Sequence, residues 1–128
     1  MGISLIISAG GIAVLGFGSL LLWKTTVNGT NPRNGSFGIR TSETKKSDKA
    51  WDAGHRAVAL LLCAFGYVDI AIALLLVVMG LAVPALTPAV ALTAICVAYI
   101  VVVGGFLYCA ARANAVAKKV NADPLNGV

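Results

Sequence analysis

Charge is scarce in this 128-residue chain: five Asp and Glu stand against ten Lys and Arg, and charged residues of either sign make up 12%. A soluble domain carries roughly 25%, so a surface facing water on all sides is excluded. Histidine occurs once. Cysteine occurs three times, as Cys63, Cys96 and Cys109, an odd number without metal-type spacing. That pattern supports neither a disulfide framework nor a zinc site, and no metal or cofactor is expected. Each cysteine sits in an apolar stretch, where it acts as a small hydrophobe. No phosphate loop is present, and the one close pair of carboxylates, Asp48 and Asp52, falls on a solvated helix face. With so little to carry chemistry, a non-enzymatic protein is expected.

Apolar length is what the chain has in abundance. Residues 3–23 and 89–111 contain no charge and residues 57–83 contain one. About 20 apolar residues cross the hydrocarbon core as a helix. Nothing alternates with period two, so helices rather than a closed barrel satisfy the backbone in lipid. The expected fold class is therefore an all-α membrane protein with three transmembrane helices in a single domain, 1–128. The first run lacks a basic n-region and exceeds the length of a signal h-region, so it is expected to be retained.

Residues 24–56 carry seven of the ten basic side chains against three acids, whereas 84–88 carry no charge, and Arg112, Lys118 and Lys119 follow the third run. The positive-inside rule then places the N-terminus outside and both basic segments, with the C-terminus, in the cytoplasm. A multi-pass protein of the bacterial inner membrane is expected. Basic flanks are what topology alone demands, so nucleic acid is not an expected partner. Membrane lipids are, since a juxtamembrane Lys or Arg gains about 1 kcal/mol near an anionic surface.

The boundaries read from pattern are a helix at 3–23, a loop at 24–47, helices at 48–83 and 89–113, and a loose tail at 114–128. Ser47 is a good N-cap for the second helix, which then starts in the cytoplasm and enters the bilayer near Ala57. Asn121, Asp123-Pro124 and Asn126-Gly127 mark the tail as irregular. Small residues that permit close helix packing recur in the first run, at Ala9, Gly10, Gly11, Ala13, Gly16 and Gly18, and in the third, at Gly105, Cys109 and Ala113.

Function is to be sought in the polar loop. Trp51 and His55 are four apart and share a helix face. Arg40 offers a planar donor fork suited to phosphate or carboxylate, with Asn34 and Thr41 as neutral polar groups and Gly38 at a turn. The order Arg33-Asn34, Gly38-Ile39-Arg40-Thr41, Thr44, Trp51 and His55 resembles the SdpI family of small bacterial membrane proteins. That family repeats an Asn-Pro or Arg-Asn pair, a Gly-Ile/Phe-Arg-Thr run, a Thr, a Trp and a His four residues later. The resemblance implies one shared role for Asn34, Gly38, Arg40, Thr41, Trp51 and His55 as a binding site. The family's namesake is an immunity protein that protects against a secreted toxic peptide and holds a transcriptional repressor at the membrane, so an immunity or signalling role is what the resemblance implies. This chain departs from it in reading as a bare three-helix unit.

Asp69 lies near the middle of the second run, where an acid costs roughly 2.5–3.5 kcal/mol on insertion scales. Tyr99 is at matching depth in the third run. Either Asp69 is bonded to Tyr99 or a backbone carbonyl and locks helices, or it relays a proton or contacts a polar residue of a partner. The leading expectation is a membrane protein whose cytoplasmic loop binds a partner or a lipid headgroup. The alternatives are a small accessory subunit of a larger inner-membrane complex, and an oligomeric proton-coupled transporter. Another membrane protein or a second copy of the chain is the expected protein partner.

Overall fold

A computed structural model describes residues 1–125 and consists of three helices: α1 (Gly2–Val27), α2 (Asp48–Ala82) and α3 (Pro88–Ala122). Each is long and apolar enough to cross a membrane. The three-helix fold class read from the apolar runs is therefore correct.

The helix ends follow local chemistry. At the end of α1 the N–H of Gly29 donates to Thr26 O (3.2 Å) and that of Thr30 to Thr25 O (2.9 Å), with Gly29 at φ +67. These are the two bonds of a Schellman motif, and Gly29 supplies the left-handed residue that it needs. Helix α2 opens on Ser47, whose Oγ accepts from the N–H of Ala50 at 3.0 Å, with Asp48 in the first turn. It ends at Ala82, because Pro84 disfavours the helical conformation at Val83. Pro88 then starts α3 at the position where its missing N–H costs nothing, after the cap residue Thr87.

Two boundaries differ from the reading of the sequence. Helix α1 continues to Val27, and α3 runs to Ala122 instead of giving way to a loose tail after 113. Polarity marks where a helix leaves the bilayer, not where it stops. Ala113 and Ala117 are fully buried and extend the stripe of Gly105 and Cys109 at four-residue spacing, so the last turns of α3 have a packing partner. That partner is the start of α2, where Gly54 and Val58 lie against Ala113, together with the loop between α1 and α2, whose Glu43 bonds Asn114 and Asn121. The Asn126-Gly127 turn signal lies outside the described residues.

Helix α2 is central: α1 and α3 both pack along it and scarcely touch each other. Helix α1 presents Leu5, Ala9, Ile12, Gly16, Ser19, Leu22 and Thr26, a stripe at spacings of three and four. The two helices meet glycine on glycine twice, at Gly2 with Gly80 and at Gly16 with Gly66. A methyl group on Gly16 would stand 3.0 Å from Gly66 O, and one on Gly66 would stand 3.1 Å from Gly16 O. Packing of this kind replaces the hydrophobic drive that lipid cannot supply. Gly10 and Gly18 face open space and take no part in it.

Asp69 lies in this seam, 1% exposed, with its Cβ against Gly16. It makes no hydrogen bond among the described residues, and its Oδ2 is buried without a partner. The expected bond to Tyr99 is absent because matching depth does not fix direction around a helix: the Tyr99 hydroxyl points at Gly11 of α1. Burial against α1 also removes Asp69 from any surface that a partner subunit could reach.

Candidate functional site

The loop between α1 and α2 is a folded cap. Asn34 builds its first turn: Oδ1 accepts from the N–H groups of Ser36 (2.8 Å) and Phe37 (2.7 Å), while Nδ2 donates to Pro32 O (2.8 Å) and Asn31 Oδ1 (2.9 Å). Asn is suited to this because one side chain closes the turn on both sides. The apolar side chains that follow, Phe37 and Ile39, pack on Leu22, Val58, Leu62, Cys109 and Ala113 and fasten the loop to the bundle.

Between them Gly38 has φ +126, and a methyl group there would stand 2.7 Å from Trp51 and 2.8 Å from His55. Only glycine meets both conditions. The close approach brings the Ile39 N–H to His55 Nε2 at 2.9 Å. His55 Nδ1 lies 2.7 Å from Trp51 O, a pure acceptor, so Nδ1 carries the proton and Nε2 accepts. The two rings sit 4.3 Å apart, and Trp51 Nε1 donates to Asn31 O at 2.9 Å. His55 precedes the apolar run of α2. Burial lowers its pKa, while the Trp51 carbonyl and Asp52 act in the opposite direction.

Thr44, fully buried, closes the cap: its hydroxyl donates to Ile39 O at 2.7 Å and accepts from the N–H of Thr41 at 2.9 Å. The far edge docks on α3. Asn114 Oδ1 accepts from the Glu43 N–H (3.2 Å), and Asn121 Nδ2 donates to Glu43 O and Oε2 (3.0 Å each). Hydrogen bonds from Lys46 and Asn121 lower the pKa of Glu43.

Of the six residues expected to share a site, Gly38, Trp51 and His55 meet one another, whereas Asn34 bonds within its own turn and Thr41 bonds Thr44. Arg40 is exposed and has no partner among the described residues. The open space lies on the other side of Trp51 and His55. A cleft of about 410 Å³ separates the end of α1 from the first turns of α2, lined by Thr26, Asn31, Arg33, Asp48, Trp51 and His55 among others.

Two polar groups in its wall, Thr26 Oγ1 and Asn31 Nδ2, are buried without a hydrogen-bond partner, and Thr26 is only 5% exposed. Arg33 stands at the rim, with Nη1 donating to Lys45 O at 2.8 Å and Nε paired with Asp48 at 2.9 Å. That pair is 39% and 85% exposed and thus cheap to open. Reading the motif alone missed Thr26, Arg33 and Asp48 as site residues. The signal for Thr26 was the spacing Ser19, Leu22, Thr26, which carries the buried stripe of α1 past its first charge.

The family model described as the SdpI/YfhL protein family matches residues 30–111, which take in the cap, all of α2 and most of α3. No curated protein and no solved structure matches the chain.

Proposed function

The chain belongs to the SdpI/YfhL protein family, and from that premise we propose that this multi-pass membrane protein is a non-catalytic binding protein. Its cytoplasmic cap takes up a phosphate or carboxylate group in the cleft beside Trp51 and His55. The observation that carries this reading is the pair of unpartnered polar groups, Thr26 Oγ1 and Asn31 Nδ2, in the wall of a cleft with a guanidinium at its rim. Leaving such groups unpaired costs about 1–3 kcal/mol each, which a hydrogen-bonding ligand recovers. An incoming anion exchanges Asp48 for itself on Arg33, and Asp48 is exposed enough to stay hydrated. The anion is either a lipid headgroup of the inner membrane or a side chain of a protein partner, and a partner would make the chain an accessory or immunity-type protein.

The test is purification in mild detergent with mass spectrometry of co-purifying lipids and proteins, alongside titration with glycerol 3-phosphate followed by Trp51 fluorescence. Arg33→Gln and Thr26→Val should weaken the titration. They should deplete one phospholipid if the source is a headgroup, or one protein if it is a partner. A fluorescence response and co-purified set identical to wild type in both variants would refute the reading.

A second reading rests on Asp69. A buried, unpartnered carboxyl group in mid-span suits reversible proton binding, and hence an oligomeric proton-coupled transporter.

A further inference from the structure

The polar cleft beside Trp51 and His55 is lined by more negative charge than positive. One guanidinium, Arg33, stands against two carboxylates, Asp48 and Asp52, while Arg56, which pairs with Asp52 at 2.8 Å, is not part of the lining. His55 adds no charge, since its Nε2 accepts the Ile39 N–H. Asp48 and Asp52 are four apart on α2 and share a helix face. When an anion takes Arg33, Asp48 loses its partner, and two carboxylates then line the cleft that holds the newcomer. A simple anion therefore enters against like charge. A zwitterion does not: its anion replaces Asp48 on Arg33 while its cation replaces Arg33 on Asp48, so two pairs form where one opened.

The donors set the anionic half. Thr26 Oγ1 and Asn31 Nδ2, both buried and unpartnered, and the Arg33 guanidinium make three separate donors. Phosphate offers three strong acceptor oxygens and a carboxylate only two. The acceptors set the cationic half, because a primary ammonium has three N–H groups to share between Asp48 and Asp52 and a quaternary one has none. The uncharged run of α1 ends at Trp23, and Thr26 lies three residues on, about 4.5 Å along the helix at 1.5 Å per residue. That is the level of lipid headgroups, where interfacial Trp residues sit. The cleft volume of about 410 Å³ falls within the range of small-molecule sites, roughly 300–1,000 Å³.

Taking the cleft as the anion site described above, we propose that its ligand is a phosphoethanolamine group, carried by phosphatidylethanolamine or present as the free compound. The phosphate meets Thr26, Asn31 and Arg33, and the ammonium lies between Asp48 and Asp52. A short ethyl link keeps the two charges of the ligand close together, and the 2.9 Å pair of Arg33 and Asp48 keeps close the two charges that receive them.

Calorimetry on the detergent-purified full chain compares phosphoethanolamine with glycerol 3-phosphate, and native mass spectrometry compares phosphatidylethanolamine with phosphatidylglycerol of the same acyl chains. The amine-bearing ligand should be favoured about two- to fivefold, the scale of one exposed ion pair. Selective retention of the lipid identifies the headgroup as the source, and selective binding of the soluble compound without lipid preference identifies the free compound. The double variant Asp48→Asn, Asp52→Asn should remove the preference and bind glycerol 3-phosphate more tightly than the wild type does, a gain that a damaged fold does not give. Both side chains are largely exposed, at 85% and 57%, so the fold tolerates the change. Equal binding of amine-bearing and amine-free ligands by the wild type in both assays, or an undiminished preference in the double variant, would overturn the proposal and leave the anion site standing. Binding of none of the four ligands would overturn both.

Discussion

The ring of His55 holds the backbone of Ile39, sixteen residues away, through a 2.9 Å hydrogen bond in which Nε2 is the acceptor. The bond exists only while Nε2 is unprotonated. Burial lowers the His55 pKa from its ordinary value of 6.5, so the folded cap binds fewer protons than the open loop at acid pH. Cap stability is therefore full above that ordinary value, falls as pH drops below it, and levels off below the folded pKa. Protection of the Ile39 amide, measured by hydrogen exchange and corrected for intrinsic rates, should be lower at pH 5.5 than at pH 7.5. In His55→Phe it should be low and independent of pH. Equal protection at both pH values in the wild type would show that the bond does not hold the loop.

The glycines fall into two classes. Gly38→Ala meets a positive φ and a clash with Trp51 and His55 together, for which about 1–3 kcal/mol of cap stability is the expected loss. Gly66→Ala drives a methyl group to within 2.7 Å of the Leu20 side chain and should cost the α1–α2 seam a similar about 1–3 kcal/mol. Gly10→Ala enters open space and should stay within about 0.5 kcal/mol of wild type. Thermal unfolding in one detergent ranks all three. An equal loss at Gly10 and Gly66 would contradict the close approach of the helices.

Much of this architecture was legible in the sequence, because it depends on short-range chemistry. Three apolar lengths give three spans, Ser47 gives the start of α2, and the Asn34 to His55 motif marks where the chain folds on itself. The length of α3 was not legible, since Asn114 and Asn121 owe their helical setting to Glu43, 71 and 78 residues away. Nor was the position of the cleft. Trp51 and His55 share a helix face as their spacing requires, but their hydrogen-bonding edges face Asn31 and Ile39, so the open space falls on the side of Thr26 and Arg33. The partner proposed for Asp69 failed for a related reason: spacing along a helix gives depth, and depth alone does not say which neighbour a side chain faces.

Orientation is tested independently of these contacts. Reporters inserted after Lys45 or fused to the C-terminus should be cytoplasmic, and one in the uncharged 84–88 turn should be periplasmic, as the basic residues of 24–56 demand. Periplasmic activity of an alkaline phosphatase fused at the C-terminus would place the cap outside, and its ligand would then have to come from the periplasm.

Asp69 separates structure from function through two substitutions. The carboxyl group makes no hydrogen bond among the described residues, so Asp69→Ala has none to lose. It also removes an insertion cost of roughly 2.5–3.5 kcal/mol. The variant should therefore be at least as stable and as well inserted as the wild type. If Asp69 were a lock between helices, the same change would lose about 0.6 kcal/mol, and up to about 1.7. Asp69→Asn keeps the shape and removes the ionisable proton. If it is stable and every binding event persists, the acid is dispensable to the binding protein proposed above. If it is stable but abolishes proton uptake by the protein reconstituted in vesicles, while wild-type vesicles acidify under an imposed gradient, the transporter reading takes precedence, because the two proteins differ only in whether one mid-membrane side chain is an ionisable carboxyl group or a non-ionisable amide of the same shape.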